Sequence, residues 1–274
     1  MSKNKLLAAA AILAASALPA NASLVLFDNP FQTSCTTAAC ESFVEIGGTG
    51  FGAAPRMLTL QTTPLQEGSG VPDGATGTAV TGDAIAGDNK TNVLTLGSLG
   101  WTAGSFIAVG YDSNQTGGNG ITLNELTLNL YDASNVLQAS FSTAAPITFT
   151  EDDLDLQQGT GTAIFAFVLD AAQRLQFNLL NPTTAWKVGL FASMGCTETS
   201  PTGCLVSDDG PDSFLAIAAG NPIINPLCTT PGGCEPSTVP VPGAVWLFGT
   251  TVAIAGGMRQ LLRLRRRREQ RAAA

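Results

Sequence analysis

The chain has 274 residues, 12% charged and 45% hydrophobic, with 30 Gly, 15 Pro and no histidine. Without histidine there is no Ser-His-Asp triad, no Cys-His pair, no HExxH zinc site and no haem His ligand. The formal net charge of −8 is unevenly spread: residues 23–240 hold four basic and 20 acidic groups, while residues 243–274 hold seven Arg and one Glu. An acidic body repels phosphate backbones, so no nucleic-acid partner is expected.

In chain order, Lys3 and Lys5 open a positive segment, and Leu6–Leu18 is an apolar run too short to span a bilayer. Ala20 and Ala22 place small residues where signal peptidase accepts them, with Ser23 as the new first residue. Residues 1–22 therefore read as a signal peptide.

Residues 23–230 read as one β-rich exported domain. Strands are predicted over 24–27, 56–62, 93–96, 106–111, 126–131, 136–142, 147–150, 163–169, 187–193 and 214–218. Leu126, Leu128 and Leu130 alternate with Thr127, Asn129 and Tyr131, which marks a half-buried strand. Ile121 and Leu123 sit in the opposite phase, so a bulge or break is expected near Asn124–Glu125. Residues 164–169 (IFAFVL) are apolar on both faces and suit a central strand, after which Asp170 caps a short helix over 171–177. The Gly-rich stretches 68–87 and 117–120 read as loops. This spacing favours a mostly β fold, an antiparallel β-sandwich or jelly roll.

Six cysteines fall as close pairs, Cys35/Cys40, Cys196/Cys204 and Cys228/Cys234. Export to an oxidising space makes disulfides the expected state, although spacing does not select the pairing. Two acidic clusters stand out: Glu151, Asp152, Asp153 and Asp155, and Asp208, Asp209 and Asp212. Asp112, Asn114 and Asn119 form a third polar loop. Calcium favours such hard oxygens, so Asp152, Asp153, Asp208, Asp209 and Asp212 are candidate ligands. No EF-hand spacing is complete, and solvated loops explain the same composition. No cofactor beyond calcium is suggested.

The C-terminal segment is the most specific feature. Val239-Pro240-Val241-Pro242 ends a Pro-rich linker over 231–242. Residues 243–258 then carry no charge, and sixteen residues of helix rise only about 24 Å, short of the ~30 Å hydrocarbon core. Extension to Leu264 repairs the length, because Arg259 and Arg263 can snorkel. A transmembrane helix is thus predicted over 243–264, with Trp246 at one interface. Arg263 and the run Arg265, Arg266, Arg267 and Arg268 form a basic anchor, and the tail 265–274 is assigned to the cytoplasm.

VPVPGAVWLFGT, the apolar span and RLRRRR together resemble a PEP-CTERM sorting signal of the VPxP/WLFG type, with Val241 where that family often carries Glu. The resemblance covers about residues 239–268. It implies a Gram-negative cell and a membrane transpeptidase, exosortase, as processing partner beside signal peptidase. ITLNELTLNLYDASNVLQASF, IFAFVLDAAQ, KVGLFAS and GPDSFLA resemble parts of ectodomains found above such tails. The expected product is a non-enzymatic surface or matrix protein, first anchored in the inner membrane, with extracellular polysaccharide as a further candidate partner. Two alternatives are a calcium-assisted carbohydrate-binding module, which needs exposed aromatics, and a carboxylate hydrolase, which needs two acids facing each other about 5–10 Å apart. No catalytic residue is assigned.

Overall fold

A computed structural model describes residues 23–28, 37, 40, 42–45, 54–75, 77–115, 119–155, 163–197, 199–208 and 210–219. Two antiparallel sheets stack on a shared core in a β-sandwich-like arrangement. The first contains β1 (Leu24–Leu26), β2 (Phe43–Glu45), β3 (Arg56–Leu60), β7 (Ala108–Asp112), β11 (Ala163–Leu169) and β13 (Asp212–Ala216), in the order β1-β11-β7-β13-β3 with β2 also on β11. The second contains β4 (Leu65–Asp73), β5 (Gly77–Gly82), β6 (Leu94–Thr95), β8 (Ile121–Tyr131), β9 (Leu137–Ser142), β10 (Ile147–Phe149) and β12 (Lys187–Gly195). Its order is β10-β8-β12-β4-β5, with β9 on β8 and β6 on β12.

Strand β8 shows how sequence period becomes packing. Leu126, Leu128 and Leu130 all face the core. Glu125 pairs with Ser193, yet Leu123 pairs with Met194, so Asn124 is the extra residue of a bulge. The bulge returns Ile121 and Leu123 to the buried face, and the Asn124 side-chain amide donates to the Gly195 carbonyl at 2.7 Å. The expected change of phase is therefore absorbed inside one continuous strand.

Strand β11 is buried on both faces, as its composition implies. Phe165, Phe167 and Leu169 enter the shared core, while Ile164, Ala166 and Val168 join a second cluster with Val44, Ala108, Leu215 and Ile217. The two sheets meet through aromatic contacts: Phe149 of β10 lies with its ring 4.7 Å from that of Phe165 and 5.1 Å from that of Tyr111. Such tilted pairs add to the burial that holds the layers.

Among the described residues the α-helices are α1 (Leu96–Leu99), α2 (Glu151–Asp155) and α3 (Ala171–Leu180). Asp170 caps α3 through a bond from the Gln173 amide at 2.8 Å, and the helix continues to Leu180, past the expected 177, where Asn181 turns left-handed. Two readings need correction. The stretch 68–87 is largely the β4–β5 hairpin, in register from Gly68↔Gly82 to Asp73↔Gly77. Its interior glycines serve close approach and not turning: a Cβ at Gly68 would lie 2.6 Å from the Thr81 carbonyl oxygen. The acidic stretch 151–155 is a helix and not a loop.

Among the described residues, no helix is long and apolar enough to cross a membrane. The expected signal peptide with Ala20 and Ala22, the expected linker with Val239–Pro242, the expected span over 243–264 and the expected basic anchor all lie outside the described residues.

Candidate functional site: a buried carboxylate hub

Asp212 opens β13 beside Leu60 of β3, with Ser213 facing Asp112 of β7. Its side chain is 0% exposed. A carboxylate this deep must be met by donors, because burial without them costs several kcal/mol. Oδ1 accepts the Asn114 amide at 2.9 Å and the Tyr111 hydroxyl at 3.4 Å. Oδ2 accepts the Gln115 side-chain amide at 2.9 Å, and the Gln66 side-chain amide as well.

The hub joins segments distant in sequence. Gln66 comes from β4 of the other sheet and also donates to the Ser207 hydroxyl at 2.8 Å. Gln115 uses both ends of its amide, since its Oε1 accepts the Asp208 amide at 2.8 Å. Asn119 donates to the Asp208 carboxylate at 2.8 Å. Residues 114, 115 and 119 are thus clamped to residues 208 and 212. Gly210 makes this contact sterically feasible, because a Cβ there would sit 1.6 Å from the Asn114 carbonyl oxygen.

Around the hub, the Pro64 carbonyl, which follows a cis Thr63–Pro64 bond, accepts the amides of Cys196 and Ser207. Cys196 and Cys204 form a disulfide across eight residues and close the intervening loop. Cys40 is also disulfide-bonded, and no described cysteine is free. Cys35, Cys228 and Cys234 lie outside the described residues.

Burial raises the Asp212 carboxyl to about 6, with hydrogen bonds from Asn114, Gln66 and Gln115 pulling in the opposite direction. Asp112 is also raised to about 6, first by burial and further by Asp212, while Arg56 opposes the shift. The Tyr111 hydroxyl is pushed up by burial and by the Asp212 charge. Paired carboxylates with raised values occur at active sites. Here Asp212 presents no surface to a substrate, and both its oxygens are engaged by N–H and O–H donors. The same donors occupy the lone pairs that a cation would use.

The other candidate ligands separate. Asp153 is 3% exposed and forms a capping box with Thr150: its carboxylate accepts the Thr150 amide and hydroxyl, and its own amide donates to the Thr150 hydroxyl. The Thr37 hydroxyl is a further donor to it. Asp152 is exposed, Asp208 is half-buried, and Asp209 lies outside the described residues. No group of three or more Cys, Asp or Glu among the described residues forms a metal-binding arrangement.

Sequence reading found Asp212, Asn114 and Asn119 but missed Gln66, Tyr111 and Gln115 as their partners. Trp101 and Tyr111, two of the aromatics that a carbohydrate-binding face could use, lie in the core, with the Trp101 indole N–H on the Ile217 carbonyl at 3.0 Å. Trp186 and Tyr131 are half-buried. Comparison with protein families, curated proteins and solved structures finds no match for this chain.

Proposed function

We propose that the chain is a non-enzymatic exported protein of the cell surface or extracellular matrix, released by signal peptidase at Ala22–Ser23 and sorted by exosortase. The tail carries this reading: an extended Pro240/Pro242 segment, an uncharged run and an Arg cluster stand in the order that halts export and leaves the body outside. In this reading residues 243–264 span the inner membrane in the precursor, and Arg263 and Arg265–Arg268 stay in the cytoplasm. The prolines keep the backbone before the span unpaired, so an enzyme can grip it.

The body supports the same reading. Its Cys196–Cys204 disulfide agrees with an oxidising compartment. The acids that attract attention as a catalytic or metal set, Asp212 and Asp153, serve instead as hydrogen-bond acceptors for loops and a helix cap. A scaffold built this way suits a durable exported module.

Replacing Pro240 and Pro242 together by Ala should leave the full-length precursor in the inner membrane, scored by membrane fractionation and intact mass. Mature product at the wild-type level would remove the VPVP segment as the recognition element.

A further inference from the structure

Ser23 is polar and first in the exported chain under the proposed cleavage, yet it is only 6% exposed. First residues of domains usually fray unless something ties them down. Here the Ser23 backbone nitrogen donates to Oδ2 of Asp170, and the Asp170 amide donates back to the Ser23 carbonyl at 3.2 Å. The other oxygen, Oδ1, caps α3 through the Gln173 amide. The pairing continues the β1–β11 ladder, which runs Leu24↔Leu169 to Leu26↔Phe167. Asp170 thus holds the start of β1 with one oxygen and the start of α3 with the other. The Asp170 charge also acts on Arg174, whose Nε donates to the Leu169 carbonyl at 2.6 Å.

We infer that signal-peptide removal creates a partly buried ion pair between the new Ser23 α-ammonium and Asp170, so that processing locks the edge strand β1 onto the domain. The inference rests on the cleavage reading above. Hydrolysis of the Ala22–Ser23 bond adds a water: its OH goes to the Ala22 carbonyl, giving a carboxylate after loss of a proton. The other hydrogen goes to the Ser23 nitrogen, which then takes up a proton and becomes –NH3+. Before cleavage the nitrogen is a neutral amide with one hydrogen to donate. After cleavage the same atom carries a full charge against an acceptor already aimed at it. A charge-assisted bond is about twice as strong as a neutral one. Strand β1 has only three residues and lies at a sheet edge, where pinning opposes fraying.

The test uses the exported full chain in detergent, with its native leader. N-terminal sequencing first reports the cut site. An amine-reactive ester then measures the labelling rate of the α-amine at neutral pH in folded and urea-unfolded protein. Only the uncharged amine reacts, so a pairing that shifts its titration by one unit slows labelling about tenfold in the folded state. Asp170→Asn retains a good helix cap but removes the charge, and should restore the rate to within about twofold of the unfolded chain. Inserting Gly-Gly between Ala22 and Ser23 moves the ammonium away and should lower the urea midpoint, an effect that Asp170→Asn cancels. Equal slow labelling in wild type and Asp170→Asn would attribute protection to burial alone and overturn the pairing. A first residue other than Ser23 would overturn the cleavage reading on its own. In that event a chain made to begin at Ser23, by placing a specific protease site before it, still decides the pairing through the same labelling comparison.

Discussion

Asp212 gives the fold an inverted pH dependence. A salt-bridged carboxylate usually titrates lower in the folded state and stabilises at neutral pH. Asp212 is raised from 3.8 to about 6, so between those values the folded chain binds more protons than the unfolded one. Stability must then rise as pH falls through about 6, and level off below about 4. Between pH 7.5 and 4.5 about one and a half titration units at 1.36 kcal/mol each give about 2 kcal/mol, a sizeable part of the ~5–15 kcal/mol that holds a typical domain. Asp112, raised to about 6 beside it, adds in the same direction.

The assay is urea denaturation of the oxidised protein at half-unit steps from pH 4.5 to 7.5, for wild type and Asp212→Asn. The variant cannot titrate at 212, so its slope should fall to the part contributed by Asp112. At pH 7.5 the Asn side chain must turn an N–H toward one of the donors that Asp212 accepts. Gln115 cannot rotate in compensation, because its Oε1 already holds the Asp208 amide, so a loss of about 1–3 kcal/mol relative to wild type is expected there. A wild-type stability that is flat or falls on acidification from pH 7.5 to 5 would refute the reasoning. So would an Asn variant with an undiminished slope.

Two further substitutions probe the loops. Gly210→Ala forces its Cβ against the Asn114 carbonyl and must separate the clamped loops; a loss of at least about 2 kcal/mol is expected by urea denaturation, with faster amide exchange at Asn114 and Gln115. Lys187→Met keeps the apolar stem of a side chain that is 8% exposed but removes its ammonium from the carbonyls of Gly74 and Ala75 and from the Asn135 side chain. A loss of about 1–3 kcal/mol is expected, with amide exchange increased in the 73–77 and 132–136 turns; unchanged exchange there would show that the ammonium does not hold the two turns together.

The sequence reveals elements whose cause is local. The alternation of β8, its bulge at Asn124, the double-sided apolar run of β11 and the Asp170 cap of α3 all follow from residues within a few positions of one another. Thr150 and Asp153 belong to this class too: their spacing is a capping box, which the acidic composition of 151–155 obscures. The β4–β5 hairpin is different. A glycine signals a turn or a close approach equally well, and the neighbours that decide, such as Thr81 beyond Gly68, are brought in by pairing. The hub is harder still. Nothing near position 212 shows that Asp212 is buried while Asp208 is half-exposed. That is decided by Gln66, more than a hundred residues earlier, and by the 113–115 loop.

The charge imbalance explains why the polar interior takes this form. With 20 acids and four bases in residues 23–240, most carboxylates cannot find a cation. Buried and half-buried acids therefore take N–H and O–H donors: Asp212 from one loop and two strands, Asp153 and Asp170 at helix starts. At the surface, Asp132 takes the amides of Ser134 and Val136 in a turn. The bases follow the same rule from the other side. Arg56, Arg174 and Lys187 each donate to backbone carbonyls. Such bonds are directional, so each carboxylate fixes the geometry of a particular loop, which a diffuse Coulomb attraction does not. They are also short and partly shielded from solvent, so salt screens them less than it screens exposed ion pairs. A chain poor in cations thereby gains a defined set of loop contacts, and the cost is concentrated where a carboxylate goes deepest, at Asp212.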